Sequence, residues 1–450
     1  MKLICFEDRL VSQLQPITHA RPAYAITCAS LQLLDLLREL PADLTVSVRS
    51  YLALLQSLDQ GLSSPAVDQI AGQEVLLVNA RLVPRVETLT QLKKLCKAGA
   101  AGIVRCPQTD AILVAKLSVA ETSQLNAAAP ESAPVVAESA SPFRKPARSA
   151  VNELALPSDD GVVAKLLVLA DQLPSDSLPP GADDLPSFQW PHEVVAWHMK
   201  EMPVAMQWRL ERGGYTETAD GVFAAPGVSI GQYAVVDTSD GPILLDENVK
   251  VGPFCLLSGP VYAGPNTRVI EHAALKDGVS LGHTVKIGGE VEASVIEPYT
   301  NKQHHGFLGH SYLGSWINLG AGTCNSDLKN TYGKINIEYD GQKVSTGMQF
   351  LGCIIGDYSK TAINTSIFTG KVIGVCSMLY GFATSNVPSY VNYARLFGQQ
   401  SLLPADVMVN TQQRMFSRRK VDQRECDIQL IHDMYNLTAG ERDQVDQYGF

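Results

Sequence analysis

The sequence predicts an α/β domain, then an all-β parallel β-helix, then a C-terminal helical segment, and three observations carry that prediction. From Leu245 to Ala293 a small aliphatic residue returns every six positions: Leu245, Val251, Leu257, Ala263, Val269, Leu275, Leu281, Ile287 and Ala293. Ahead of this run, short apolar stretches alternate with helix-like spacing. Behind it, Pro404 to Gln447 reads as helical.

The six-residue period is the most specific of the three. A helix repeats its apolar face every 3 to 4 residues and an ordinary strand every second one, so neither explains a period of six. A hexapeptide β-helix does, because each six-residue unit forms one flat side of a prism and sends its aliphatic residue into a continuous core. The position four on is small or β-branched, as in Val249, Cys255, Val261, Thr267, Ala273, Val279, Val285 and Val291. Glycine often follows the aliphatic residue, at Gly252, Gly264, Gly282 and Gly288, where a corner conformation hostile to side chains is expected. The phase breaks after Ala293. It recovers at Leu313-Gly314 and Leu319-Gly320, and again through Ile355, Thr361, Ile367, Ile373 and Leu379. One β-helix from Val228 to Ala383 is therefore expected, with the polar stretch Pro298 to Ser311 projecting from it. Loops that leave a rigid scaffold commonly carry chemistry.

In the first domain the apolar runs are Lys2 to Phe6, Val75 to Val78, Gly102 to Cys106 and Ala111 to Leu117, with helical patterns at Ala29 to Glu39 and Val86 to Ala98. This alternation predicts a largely parallel, Rossmann-type sheet. Asn126 to Ala150, rich in Ala, Pro and Ser, and Pro174 to Ser187, rich in Pro, Ser and Asp, are expected to be mobile loops or linkers. A helical stretch from Leu185 to Met206 is expected to close the domain. The boundary falls near Gly213 to Gly227, dividing the chain into 1–212, 213–395 and 396–450. In the last segment Ile428, Leu430, Ile431, Met434 and Tyr435 form an apolar stripe, with Arg414, Arg418, Arg419 and Lys420 upstream. A helix capping the coil or a neighbouring subunit accounts for both features; a phosphate-binding cluster is the other reading.

Composition narrows the function classes. A chain of 450 residues with 45% hydrophobic content can bury two or three cores. Its net charge of −10 argues against general nucleic-acid binding, which needs a basic face. No apolar run approaches the ~20 residues of a membrane helix, and Met1 to Leu10 lacks the basic-then-apolar start of a secretory signal, so a cytoplasmic location without membrane partners is expected. The nine cysteines lack paired spacing, and five of them (Cys5, Cys96, Cys255, Cys353, Cys376) sit beside aliphatic residues. They read as small core residues of a reducing compartment, with neither disulfides nor a metal site.

Between His304 and Asp327 the text runs His304-His305-Gly306-Phe307-Leu308-Gly309-His310, then Leu313-Gly314-Ser315-Trp316-Ile317-Asn318-Leu319-Gly320-Ala321-Gly322-Thr323-Cys324-Asn325-Ser326-Asp327. Taken with the domain order, this resembles the sugar-1-phosphate nucleotidyltransferase/acetyltransferase family of the GlmU type. Members carry a catalytic His three residues before Tyr-hydrophobe-Gly-Asp, then Val-Asn-hydrophobe-Gly-Ala-Gly-Thr, then Cys-Asn. The spacing agrees from His304 through Thr323. The resemblance implies a left-handed coil, a homotrimer with acyl-donor sites between subunits, and acetyl-CoA as donor. Acyl transfer from a thioester needs an uncharged amine, and an imidazole is suited to removing its proton during attack. By resemblance His304 is the general base, and Asn318 and Asn325 hold or polarise the reacting groups. Backbone N–H groups from Leu319 to Thr323 are expected to meet the developing oxyanion, and coenzyme A to lie along the later coils, Ile355 to Ala383.

The departures bear on the substrate. Where the family grips a sugar phosphate with Arg-x-Arg-Pro-Gly and Val-Glu-hydrophobe-Lys, this chain has Leu256-Leu257-Ser258-Gly259-Pro260 and Val291-Glu292-Ala293-Ser294. Phe307 replaces the family Tyr, and Lys302, Lys329 and Lys334 are candidates for replacement charge. In the first domain, relatives cradle nucleotide phosphates with Gly-x-Gly-Thr-Arg; here Phe6-Glu7-Asp8-Arg9-Leu10 stands there, with no glycine before Gly61, followed by Pro16-Ile17-Thr18-His19-Ala20-Arg21-Pro22. Where relatives place a metal-binding Asp, the chain reads Val78-Asn79-Ala80-Arg81. Asp8, Arg9, Arg21 and Asn79 are the nucleotide-site candidates, with Mg²⁺ as cofactor if that domain is active.

The leading expectation is a transferase of sugar-nucleotide synthesis: an acetyl-CoA-dependent N-acetyltransferase on an amino-sugar phosphate, joined to a domain that forms or binds a nucleotide sugar of the UDP-N-acetylglucosamine type. Two alternatives stand beside it. One is a nucleotidyltransferase alone, such as a glucose-1-phosphate thymidylyltransferase-like enzyme; the other is a non-catalytic trimeric scaffold that binds a sugar nucleotide. The identity of sugar, base and acyl group stays open at this level.

Overall fold

The first strand, Lys2–Phe6 (β1), is central to its sheet because both its faces are apolar and buried. The computed structural model describes residues 1–126, 161–174, 185–394, 399–443 and 445. Of the expected loops at 126–150 and 174–187, residues 127–150 and 175–184 lie outside these. β1 pairs in parallel with Asp43–Ser47 (β2) and Val75–Asn79 (β3). Gly102–Arg105 (β4) and Ile112–Leu117 (β5) form a hairpin, and β5 joins β3 antiparallel. The order is β2-β1-β3-β5-β4, so the sheet is mixed at one side. β2 carries no continuous apolar run, which hid it in the sequence.

Helices differ from expectation at their ends. Val86–Lys97 forms as its spacing predicts. The pattern at Ala29 to Glu39 yields only Leu33–Leu37, because Ala29 and Ser30 take left-handed backbone conformations and Cys28 bridges Leu31. The closing helix runs His192–Glu211 and buries His192, Val194, Val195, His198, Met202, Ala205 and Met206. Behind the coil stand Ala405–Arg418, Glu425–Leu437 and Ala439–Arg442. Among the described residues, no helix is long and apolar enough to cross a membrane.

The rest is a three-sided parallel β-helix. Its core is the hexad series: Leu245, Val251, Leu257, Ala263, Val269, Leu275, Leu281 and Ile287 join one buried cluster with Val249, Val261, Val279, Val285 and Val291. One face stacks Lys250, Arg268 and Lys286 in register, the next Leu256, Ala274 and Glu290, and the third Ile243, Val261 and Val279. That third face carries the first domain. Leu244, Tyr262, Val295, Tyr312 and Ile354 share a core with Val194, Val195 and Met202 of the closing helix.

The glycines after the aliphatic residues serve close approach rather than a special φ. A Cβ on Gly252 would stand 2.6 Å from the Glu271 nitrogen, and one on Gly282 2.7 Å from that of Pro298. The left-handed residues come two positions later, at Phe254, Asn266 and Thr284. Expectation also fails at Pro298 to Ser311. Asn301–Lys302 and Phe307–Gly309 are strands of the wall, because the coil shortens: Arg268 pairs eighteen residues on with Lys286, but Lys286 only fifteen on with Asn301. The excursion from the coil instead lies between Asn325 and Cys353. It contains an antiparallel hairpin, Asn336–Tyr339 with Gln342–Ser345, and Tyr339 stacks on Trp190 with ring centroids 5.2 Å apart.

Candidate functional site

His304 sits at the corner between the Asn301–Lys302 and Phe307–Gly309 strands, and both it and His305 are exposed. What fixes this corner is Lys302. Its register partner is the core residue Ile287, so its side chain enters the coil. There Nζ donates to the Gly288 carbonyl at 2.8 Å and the Gly306 carbonyl at 2.7 Å. Burial pushes its ammonium down to about 8. Lys302 is thus a buried clasp under His304, not a substrate cation. The His304 Nε2 lies 3.2 Å from the Gln303 side-chain amide.

Asn318 is exposed on the adjoining face, bridged to Asn301 on one side and Lys360 on the other. Its Oδ1 accepts from Asn301 Nδ2 at 2.7 Å. Asn318 therefore lies one coil on from Asn301, on the face that ends at the His304 corner. Asn325 does not join them. It is buried, and its amide closes a pair of bonds with Gly309, accepting from the N–H at 2.9 Å and donating to the carbonyl at 3.0 Å. Asn325 thus clamps the backbone of the neighbouring coil. In the glycine-rich corner the N–H groups of Leu319, Gly320, Gly322 and Thr323 already bond within the coil, which among the described residues leaves the Ala321 N–H as the backbone donor this corner can offer an oxyanion. Phe307 is partly exposed beside Cys324, whose Sγ accepts from its N–H at 3.3 Å. Lys329 and Lys334 lie on the excursion, where Lys329 Nζ donates to the Lys334 carbonyl at 2.8 Å.

Two arrangements were not legible in the sequence. Lys360, next to Asn318, is held with Nζ 2.8 Å from the Tyr358 carbonyl and is pushed down to about 8 by burial. On the far edge, His310 Nδ1 lies 2.8 Å from Asp327 Oδ2, and Glu292 stands close enough that the three could share a metal ion. Lys276 already pairs with Glu292 at 3.3 Å. His304 and His305 are not part of this group.

In the first domain the loop after β1 is locked from inside. Glu7 is buried, accepts from the Ala23 N–H at 2.9 Å and holds Arg49 through Nε and Nη2, each at 3.0 Å. Asp8 receives Arg81 Nε at 2.8 Å, Arg81 Nη2 at 2.6 Å and Asn79 Nδ2 at 2.8 Å. The residues do not fit a divalent cation. The carboxylate of Asp8 is engaged on both oxygens, and a fully buried guanidinium stands where a metal ligand is expected. Arg9 is exposed at the start of the 3₁₀ turn Arg9–Leu14. Arg21 is drawn away altogether, to Glu297 at 3.2 Å, Ser315 at 3.0 Å and Asp357, all in the β-helix.

With this geometry in place, sequence comparison locates the first domain. Residues 3–202 match the sugar nucleotidyl transferase family model. A bifunctional sugar-1-phosphate nucleotidylyltransferase/acetyltransferase from Sulfurisphaera tokodaii is 30% identical over 123 residues, 27% of this chain and 30% of that protein. A bifunctional protein GlmU from Xylella fastidiosa is 29% identical over 174 residues, 34% of this chain and 35% of that one. The chain thus spans about a third of the length of these curated relatives. Among solved structures, a UDP-N-acetylglucosamine acyltransferase from Francisella novicida covers 51% of this chain and 84% of its own at 16% identity and a TM-score of 0.24. The N-acyltransferase AntD from Bacillus cereus, solved with dTDP and 3-hydroxybutyryl-CoA, covers 48% and 96% at 14% identity and a TM-score of 0.20.

Proposed function

We propose that the chain is a cytoplasmic transferase of the GlmU type, in which the β-helix transfers an acetyl group from acetyl-CoA to the amine of an amino-sugar phosphate. The observation that carries the reading is the placement of Asn318 beside Asn301, on the face that ends at the His304 corner, within text that agrees in spacing with the family from His304 through Thr323. In the reaction the amine attacks the thioester carbonyl, His304 takes the proton the amine sheds, and the carbon–sulfur bond breaks to release coenzyme A thiolate, which is then protonated. Asn318 orients the amine or the carbonyl. In an isolated chain this corner is open to solvent, and a homotrimer would close it with a neighbouring coil.

The first domain is proposed to bind a nucleotide sugar of the UDP-N-acetylglucosamine type and to position it or its precursor. The engagement of Asp8 by Arg81 supports binding over metal-dependent nucleotidyl transfer. Release of coenzyme A thiol from acetyl-CoA, measured with glucosamine and its phosphates, tests the acyl-transfer reading. His304→Ala is expected to lower the rate about 10²–10⁴-fold while acetyl-CoA binding persists, and His305→Ala to do far less. Equal losses from both would return the molecule to the scaffold reading.

A further inference from the structure

The prism face that carries Asn318 also carries cations that form no ion pair among the described residues. Arg268 and Lys286 pair in register on adjacent strands, and the same ladder continues through Asn301 to Asn318. The Ala405–Arg418 helix ends beside them. Phe416 packs on Trp316 with ring centroids 4.4 Å apart, and Trp316 stacks on Tyr299 at 4.1 Å. That contact sets Arg418 and Arg419 at the same face, 132 and 133 residues away in sequence from Lys286.

Among the described residues, none of these four cations has an ion pair, whereas Lys2, Arg105, Arg212, Lys276 and Arg424 each have one. In a chain of net charge −10, such a gathering is not explained by surplus basic residues. The end of a helix favours cations, which accounts for Arg418 and Arg419 but not for Arg268 and Lys286. Mutual repulsion is felt: Lys286 is held below the usual lysine range by burial, then by Arg419, Arg268 and Arg418. An anion placed among them would relieve that repulsion and gain charge-assisted hydrogen bonds.

We infer that Arg268, Lys286, Arg418 and Arg419 form a phosphate site, and that it holds the phosphate of the acyl acceptor in place of the Arg and Lys that this chain lacks. Neighbouring strands lie about 4.8 Å apart, so the Lys286 and Asn318 backbones are about 10 Å apart, near enough for the two side chains to reach one sugar phosphate from its two ends. The site stands on its own geometry, while its assignment to the acceptor rests on the acyl-transfer reading. The phosphates of coenzyme A are the other source of the same chemistry.

Isothermal titration separates these. Inorganic pyrophosphate, glucosamine-1-phosphate and coenzyme A are titrated into the full chain, Lys286→Gln, Arg419→Gln and the control Lys343→Gln, whose side chain is on the hairpin. Pyrophosphate is expected to bind the parent and the control alike, about tenfold more weakly to each of the other two, and more weakly as salt is raised. Matching loss for glucosamine-1-phosphate with coenzyme A unchanged assigns the site to the acceptor; the reverse pattern overturns that assignment in favour of the donor. Unchanged pyrophosphate affinity in both variants, or no binding to the parent, overturns the site itself. These are equilibrium measurements without turnover, so intact binding in a protein that transfers no acetyl group would sink the catalytic reading and leave the phosphate site standing.

Discussion

Arg21 reaches out of the first domain to within 3.2 Å of Glu297, a fully buried carboxylate in the wall of the β-helix. The same carboxylate accepts from the Thr27 N–H and hydroxyl, each at 2.9 Å, and from the Tyr312 hydroxyl at 2.6 Å. Asp357 takes the other side of the guanidinium. The stretch Pro16-Ile17-Thr18-His19-Ala20-Arg21-Pro22 therefore works, through Arg21, as a seam between the domains. Removing one partner from a buried ion pair leaves charge uncompensated, typically at about 3–5 kcal/mol. Arg21→Ala is expected to cost about that much in denaturant unfolding, and Arg21→Met combined with Glu297→Gln and Asp357→Asn much less. A single variant as stable as the parent would dissolve the seam.

A second interdomain contact predicts acid sensitivity. His198 accepts from the Ala29 N–H through Nδ1 at 3.1 Å, while Nε2 faces the Gly278 carbonyl at 2.9 Å. Burial pushes it down to about 4 from an ordinary 6.5. Below pH 6.5 the unfolded chain takes up a proton that the fold refuses, so this stabilisation is whole above 6.5 and is lost as pH falls through about 4. The amount is about 3 kcal/mol at most. His19, pushed down to about 3 by burial, and His192, pushed down to about 4, add in the same direction. Melting temperature should fall steadily from pH 6.5 to 4, and more shallowly in His198→Gln; a flat profile in the parent would refute it.

The Asp8–Arg81 pair predicts the nucleotide behaviour of the first domain. With Asp8 saturated and no glycine-rich cradle after β1, UTP and dTTP should bind weakly, and Mg²⁺ should change either affinity less than about threefold. Calorimetry with and without metal reads this directly. A tenfold tightening by Mg²⁺ would mean that Arg81 yields its place to a cation.

The hexad period made the β-helix legible because every turn of the coil repeats one packing requirement, and Leu245 through Ile287 meet it. Its corner glycines were legible as positions but not as causes, since close approach between coils is a relation between residues about eighteen apart. The exposure of His304 and Asn318 on neighbouring parts of the coil was legible from local text alone. Asn325, Lys302 and Arg21 were not. Each is chemically suited to a substrate, and each is consumed by a partner from another coil or domain: Gly309, Gly288 and Glu297. Sequence spacing states which side chains are available to a fold. It does not state which of them the fold has already used, and a polar stretch such as Pro298 to Ser311 reads as a loop until its register with Lys286 and Glu290 is seen.

Lys302 gives the last test, because a clasp and a substrate ligand respond differently to its loss. Its ammonium ties the Gly288 and Gly306 carbonyls and lies 3.4 Å from the carbonyl of His304. Lys302→Met keeps the buried volume but frees those carbonyls, and the corner relaxes. A catalytic group displaced by about 1 Å loses on the order of 10²-fold in rate. The variant is therefore expected to lower kcat about 10- to 100-fold in the coenzyme A release assay, with KM for the amino-sugar phosphate nearly unchanged. A ligand to the substrate phosphate would do the opposite, raising KM at steady kcat. Lys286→Gln should show that second pattern, so the two lysines, one turned into the coil and one turned out of it, are expected to separate into a kcat variant and a KM variant. If Lys302→Met instead raised KM alone, its amine would have to leave the core on binding, and the clasp would be wrong.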